Sequence, residues 1–166
     1  MQSLKKEDRL LKFFLERELN LYNVWFGEVE KEFGLEKTIN ISLKIWNKLA
    51  RIDGKKFSET FQIPGKNLDE LLKLLDIAFH FTLFKVEIKK IDENSAYITF
   101  ISCHWQNIIA KSSKFREKPI NCNLIGISAY SSFINSINPD FEIINDKVIH
   151  NGDDICRLLV RRRKKI

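Results

Sequence analysis

The sequence lacks any apolar run of the roughly 20 residues that a helix needs to cross a bilayer. We also expect no signal peptide, because charged residues follow soon after Met1, where such a peptide has its apolar stretch. Only three cysteines are present, and this odd number at wide spacing excludes the disulfide framework of a small secreted protein. We therefore expect a soluble, cytoplasmic protein with reduced thiols and no membrane partner.

The motifs of several enzyme classes are absent as well. The chain contains no GxGxxG, GxxxxGK[ST], GxSxG or HExxH pattern. These patterns accompany dinucleotide binding, phosphate binding, serine hydrolysis and zinc-dependent proteolysis, respectively. The chemistry of the protein therefore has to be sought among its cysteines, histidines and aromatic side chains.

The net charge of +6 would favour a nucleic-acid partner if it were spread over the surface. However, five of the positive charges belong to the consecutive residues 161–165, and the rest of the chain is close to neutral. This distribution predicts one folded domain of residues 1–160 followed by a basic tail of residues 161–166. We expect the tail to give only weak, sequence-independent binding to nucleic acids, since it has no element that reads bases.

Apolar residues in the first half recur with the period of an α-helix. The pattern predicts four helices in residues 1–82, and the last of them begins with Asn67 as its N-cap and Glu70 as its capping-box acid. The four segments are 11–19, 22–33, 45–61 and 68–75.

After residue 83 the period changes to that of β-strands. Residues 84–104 and 141–161 each predict an antiparallel hairpin, and the second strand of the first hairpin is apolar enough to be a central strand. Between the hairpins, an apolar stripe from Cys122 to Ile137 predicts one helix. The predicted fold is therefore α+β, with N-terminal helices packed on an antiparallel sheet to which both hairpins belong.

The three cysteines form the first candidate site. Cys103 ends a strand, Cys122 lies on the apolar stripe of a helix, and Cys156 shares a strand face with apolar residues, so all three are predicted to face the interior. At least two of the sulfurs should then share a pocket. One hypothesis is a zinc ion held by the three cysteines and His150. A second makes Cys122 a nucleophile, because the helix dipole favours a thiolate in the first turn, and a third treats the cysteines as small buried hydrophobic residues.

Several segments resemble known families. These segments are Leu21–Phe26, Ile45–Trp46, Cys103–Gln106, the helix with Cys122 and Phe133 before Asn138–Pro139, and Gly152–Cys156. In this order they resemble the L-2-amino-thiazoline-4-carboxylic acid hydrolase-like proteins over about residues 18–162. The ending Gly152–Cys156 also resembles that of the 4-vinyl-reductase small-molecule-binding domain, a likeness that covers about residues 119–160. The resemblance implies an α+β ligand-binding fold with a cysteine-lined pocket.

Two functional hypotheses follow. The first is a small-molecule-binding, sensory domain whose pocket lies between the C-terminal sheet and the helices and is lined by the cysteines, Trp105 and Phe133. The abundance of aromatic residues, with thirteen phenylalanines and three tryptophans, fits either a core or such an apolar pocket. The alternative is a hydrolase of a small cyclic or amide substrate that uses Cys122 or a cysteine-bound metal. Whether the chain is an enzyme, and whether it forms a homodimer, is left open.

Overall fold

A computed structural model of the chain describes residues 6–82, 84–103 and 122–164, without the side chains of residues 6–8, 122, 123 and 150. The chain divides into two compact units, which we call the N-terminal unit (residues 1–42) and the C-terminal unit (residues 43–166). The prediction of a single domain over residues 1–160 remains a prediction. Among the described residues, no helix combines the length and the apolar character that spanning a bilayer demands.

The N-terminal unit contains helix α1 (Lys6–Phe33) and the first part of helix α2 (Leu35–Phe61). The prediction of two helices at residues 11–19 and 22–33 was wrong, because both segments belong to α1. The apolar positions Leu15, Leu19 and Tyr22 continue one helical period, and no glycine or proline interrupts them. Gly34 separates α1 from α2 with a φ of 77°, a backbone conformation that favours glycine.

The C-terminal unit contains the rest of α2 and helix α3 (Leu68–Phe81). The predicted N-cap is confirmed: the Oδ1 atom of Asn67 accepts a hydrogen bond of 3.0 Å from the backbone N–H of Glu70. The carboxylate of Glu70 in turn accepts a hydrogen bond of 2.8 Å from the backbone N–H of Lys66. Three helices therefore precede the sheet in the described residues, where the sequence predicted four.

The sheet has four antiparallel strands in the order β1-β2-β4-β3. It confirms that both predicted hairpins join one sheet and that β2 is a central strand. A fourth helix, α4 (Cys122–Ile137), leads into β3, so the described chain has the predicted α+β fold with helices packed on the sheet. The strands are β1 (Lys85–Lys90), β2 (Ser95–Ser102), β3 (Phe141–Lys147) and β4 (Arg157–Arg162).

One face of the sheet, which we call the inner face, is buried against α3 and α4. Ile98 of β2, Val160 of β4 and Phe141 of β3 are fully buried there, in one hydrophobic cluster with the leucines of α3. Burying such side chains contributes about 1.5–3 kcal/mol each, so this face supplies much of the stability of the unit. The opposite face, the outer face, carries charged side chains such as Arg157, as strand alternation predicts.

The basic C-terminal residues are partly inside this sheet. β4 ends at Arg162, so the strand includes the first two residues of the segment that was predicted to be a basic tail. Arg161 pairs with Glu142 of β3 at 2.7 Å. Arg163 follows the strand and its guanidinium donates a hydrogen bond of 2.8 Å to Asn135 of α4. These two arginines therefore link the end of β4 to β3 and to α4.

Candidate functional site

An aromatic cluster occupies one end of the inner face. Its members come from four places in the chain: Phe79 from α3, Phe84 from just before β1, Phe100 from β2 and Tyr130 from α4. The Phe79 ring meets the rings of Tyr130 and Phe100 with centroids 5.0 Å and 5.4 Å apart. Both contacts are edge to face, the arrangement that aromatic quadrupoles prefer. We call these four residues the aromatic cluster.

Local hydrogen bonds bring the cluster together. The backbone N–H of Phe84 donates to the carbonyl oxygen of Phe79 at 3.1 Å, and the hydroxyl of Thr82 also donates to that oxygen at 3.1 Å. These bonds satisfy carbonyl groups that the end of α3 would otherwise leave unpaired. The chain therefore turns sharply from helix to strand, and Phe84 is brought against Phe100, with ring centroids 5.5 Å apart.

The cluster is buried at its centre and accessible at its rim. Phe79 is 1% exposed and Phe84 is 9% exposed, whereas Phe100 and Tyr130 are only half-buried. The rings of Phe100 and Tyr130 lie 6.3 Å apart, and their planes are inclined by 29°. The rim of the cluster therefore consists of two partly exposed aromatic residues, which suit contact with a further flat or apolar group.

Two cysteines lie at the same end of the sheet. Cys103 directly follows β2, and the backbone carbonyl of Cys156, which directly precedes β4, accepts a hydrogen bond of 3.0 Å from the N–H of Phe100. Strict strand alternation would place Cys103 on the same side of β2 as Ile101, which is 64% exposed. Cys103 nevertheless packs against the core, because β2 ends at Ser102 and strict alternation ends with it.

Cys156 has a structural contact of its own. Its half-buried sulfur accepts a hydrogen bond of 3.5 Å from the backbone N–H of Ile149. This contact ties the start of β4 to the 3-10 turn Ile149–Asn151, which connects β3 with β4. The neighbouring His150 belongs to that turn, but its side chain lies outside the described part of the structure.

The direction of α4 places its first residue at this end as well. Along α4, Ser131 contacts Ile143 of β3 and Asn135 contacts Arg163 beside the start of β3, so the helix runs antiparallel to the strand. Nine residues separate Cys122 from Ser131, or about 13 Å of helix. The backbone of Cys122 is therefore carried toward the end of the sheet where Cys103 and Cys156 lie, but its side chain is not described.

The zinc-site and nucleophile hypotheses for these cysteines remain predictions. Among the residues that the structure describes, there is no group of three or more His, Cys, Asp or Glu side chains that could hold a metal ion. Because the predicted zinc site includes Cys122 and His150, that search does not test it. The hydrolase hypothesis likewise depends on the undescribed thiol of Cys122.

Of the two aromatic residues predicted to line the pocket, Trp105 and Phe133, the structure describes only Phe133. Trp105 falls outside the described residues. Phe133 is 5% exposed and packs edge to face against Phe57 of α2, with ring centroids 5.8 Å apart. Its position is therefore in the contact between α2 and α4, and its role as a pocket residue stays a prediction.

The outer face of the sheet carries a depression of about 560 Å³. Two of its charged side chains are paired with carboxylates: Arg157 lies over the ring of Tyr97 at 4.4 Å and pairs with Asp146 at 2.6 Å, and Lys90 pairs with Asp69 at 2.7 Å. An apolar ligand there would have to displace water from charged groups at a cost. The full lining is Glu87, Lys89, Lys90, Ile91, Tyr97, Thr99 and Arg157.

Residues 3–157 match a family of unknown function, DUF6125. The chain belongs to this family. No curated protein is significantly similar to it in sequence. The resemblances to the thiazoline hydrolase-like proteins and to the 4-vinyl-reductase domain remain expectations, because membership of DUF6125 does not bear on them.

Solved structures share the fold of this DUF6125 protein. A trafficking protein particle complex subunit 3 from Naegleria fowleri, covalently bound to palmitic acid, has a TM-score of 0.64 at 16% identity, over 93% of this chain and 98% of that chain. The phenol-responsive sensory domain of the transcription activator PoxR, solved with phenol, has a TM-score of 0.58 at 10% identity, over 86% of this chain and 73% of that chain. At such low identity the likeness shows the fold alone.

The aromatic cluster of this DUF6125 member was not predicted as a site. Phe79 and Phe84 lie only five residues apart in the sequence, but nothing local connects them with Phe100 or Tyr130. The available signal was the strand period, since Phe84 and Phe100 both fall on the apolar phase of their hairpin. The contribution of Tyr130 depends on how α4 packs, which periodicity does not determine.

Proposed function

We propose that this DUF6125 protein is a small-molecule-binding domain that takes an apolar ligand at the rim of the aromatic cluster. The observation that carries the proposal is the half-buried, stacked pair of Phe100 and Tyr130 beside the buried Phe79. Small-molecule sites are mostly apolar and aromatic, with few polar groups that orient the ligand. Phenol and palmitic acid, which are bound by two proteins of the same fold, are ligands of this apolar kind.

The position of the cluster supports a sensory role. Its rings come from α3, β2 and α4, so a ligand that inserts at the rim would change how tightly two helices are held on the sheet. A ligand shifts a conformational equilibrium only by the difference in its affinity for the two states. A site formed by α3, β2 and α4 offers such a difference in affinity, because a small change in the distance between these elements alters every contact with the ligand.

The outer depression is the competing location, and its chemistry favours a different kind of ligand. Arg157 and Lys90 are already paired with carboxylates there, and Glu87 and Lys89 add two further charged side chains to its lining. An apolar ligand gains free energy from leaving water, and it gains little where the protein surface remains charged. We therefore place the apolar ligand on the inner side of the sheet.

The test compares two tyrosines on opposite faces of the sheet. Tyr130→Leu removes an aromatic member of the cluster, and Tyr97→Leu makes the same substitution at a half-buried tyrosine on the outer face. Binding of phenol and of palmitate is measured by calorimetry with the full chain and both variants, after circular dichroism has confirmed that each is folded. Loss of one aromatic contact of about 0.5–1.5 kcal/mol should weaken binding by roughly two- to tenfold in Tyr130→Leu only.

The proposal fails if neither probe binds the unmodified chain. It also fails if Tyr97→Leu weakens binding as much as Tyr130→Leu does, since the ligand would then not distinguish the two faces. A folded Tyr130→Leu variant with unchanged affinity for both probes would place the ligand elsewhere.

A further inference from the structure

Helix α1 carries a second apolar stripe that is exposed in the described part of the structure. Successive residues of an α-helix are rotated by about 100°, so five large apolar side chains of α1 fall within an arc of about 100°. All five are between 47% and 63% exposed. We call them the outer stripe of α1; they are Leu10, Phe13, Phe14, Leu21 and Val24.

The opposite side of the same helix is the one that is buried. Leu15, Leu19 and Tyr22 are half-buried and Phe26 is only 6% exposed. An ordinary surface helix has one apolar stripe and one polar face, so a second stripe on the opposite face calls for a second contact. The outer stripe exposes on the order of 500 Å² of apolar surface, at the upper end of what monomeric proteins leave in water.

We propose that the outer stripe of α1 pairs with the outer stripe of a second copy of the chain, with the two helices antiparallel about a two-fold axis. The pair would bury on the order of 1,000 Å², the size at which specific interfaces begin. The stripe is self-complementary in this orientation, because the bulky Phe13 and Phe14 at one end meet the smaller Leu21 and Val24 of the other copy. A two-fold interface requires this kind of self-complementarity.

The charges at the middle of the stripe favour the same orientation. Arg17 and Glu18 lie midway between Phe14 and Leu21, and both are exposed. An antiparallel pair centred there sets Arg17 of each copy opposite Glu18 of the other, so that two ion pairs form across the axis. A parallel pair would instead set Arg17 against Arg17, which is unfavourable.

A lipid surface fits α1 less well. The helix contains five basic and seven acidic residues, so its net charge is negative. Helices that lie on anionic membranes carry lysine and arginine on their polar face, because electrostatic attraction adds to the burial of their apolar face. The net negative charge of α1 therefore favours a second copy of the chain over an anionic membrane as the partner.

The experiment is sedimentation equilibrium of the full chain over a range of concentrations up to about 100 µM, which covers the affinities expected of an interface of this size. Leu21→Glu inserts a charge into the stripe, and Ile101→Glu makes a matched change at an equally exposed residue on the outer face of the sheet. We expect a dimer whose dissociation constant rises at least 30-fold in Leu21→Glu and stays within threefold in Ile101→Glu. Because both side chains are exposed in the folded chain, neither substitution should prevent folding.

Charge reversal tests the orientation. Arg17→Glu and Glu18→Arg should each weaken the dimer several-fold, and the double variant should restore it, because the cross-axis pairs are then re-formed with exchanged signs. A chain that remains monomeric up to about 100 µM overturns the proposal, as does a dimer that is indifferent to Leu21→Glu. Flotation of the monomer with phosphatidylserine vesicles would also overturn it and assign the stripe to a membrane.

Discussion

Gly54 of α2 lies directly against Ser136 of α4. A β-carbon at position 54 would stand 2.8 Å from the carbonyl oxygen of Phe133 and closer still to the Oγ atom of Ser136. The carbonyl oxygen belongs to the backbone of α4 and cannot rotate away. The close packing of the two helices in the C-terminal unit therefore depends on the missing side chain of Gly54.

Gly54→Ala should destabilise the protein by about 1–3 kcal/mol, the range for overpacked sites, because α2 and α4 must move apart. The matched control is Gly27→Ala in α1, where nothing lies within 4 Å of the new β-carbon. There alanine should be neutral or stabilise by up to about 1 kcal/mol, since glycine is the weaker helix former. Urea unfolding of both variants measures the difference, and equal shifts of the same sign would contradict the described contact.

Asn138 connects two turns of the C-terminal unit. Its Nδ2 atom donates a hydrogen bond of 2.8 Å to the carbonyl oxygen of Gly65, and its Oδ1 atom accepts one of 3.0 Å from the N–H of Asp140. Asn138→Ala should therefore lower the free energy of unfolding by about 1–2 kcal/mol, because a part-buried carbonyl loses its donor. Asn145→Ala, at an exposed position of β3, is the control and should change it by less than about 0.5 kcal/mol. An equal loss in the two variants would rule out the connection.

Sequence patterns predicted the sheet better than the helices or the site. The alternation of apolar and polar residues between Phe84 and Cys103 located β1 and β2. Each hairpin has an apolar face that must be buried, and this requirement predicted that both hairpins join one sheet. The extent of α1 was missed because a break was assumed between Leu19 and Tyr22, although the apolar period continues through both. The aromatic cluster was missed for a different reason: it depends on how α3, β2 and α4 meet in space, and no local pattern contains that information.

The C-terminal basic residues should contribute to stability more than to nucleic-acid binding. Arg163→Ala removes hydrogen bonds to Asn135 and to the carbonyl oxygen of Phe141, and it should destabilise the protein by about 1 kcal/mol. Lys164→Ala, at the exposed neighbouring position, should change stability by less than about 0.5 kcal/mol. Thermal unfolding separates the two variants.

Nucleic-acid binding is tested with the double variant Lys164→Ala and Lys165→Ala. It removes charge from the tail without touching β4, whereas deletion of residues 161–166 would also remove the end of the strand. Any binding of DNA or RNA should be weak, should fall steeply with salt, and should decrease in this variant. A tight, sequence-selective complex that survives the two substitutions would refute the expectation.

The zinc hypothesis predicts about one metal ion per chain in protein purified without a histidine tag. Cys122→Ser should then reduce the zinc content and the stability together, because metal binding is coupled to folding. Elemental analysis with thermal unfolding provides the measurement, and Leu124→Ala, at an exposed position of the same helix, is a control that leaves all candidate ligands in place. Metal-free protein whose stability changes by only about 1 kcal/mol in Cys122→Ser would leave the cysteines as core residues.

An NMR titration of the full chain with phenol tests whether an apolar ligand binds at the rim of the aromatic cluster. We expect chemical-shift changes that concentrate on Phe79, Phe100 and Tyr130, because aromatic rings strongly shift the nuclei around a bound ring. Changes that concentrate instead on Tyr97 and Arg157 of the outer face, or spectra that do not change up to millimolar phenol, would contradict it.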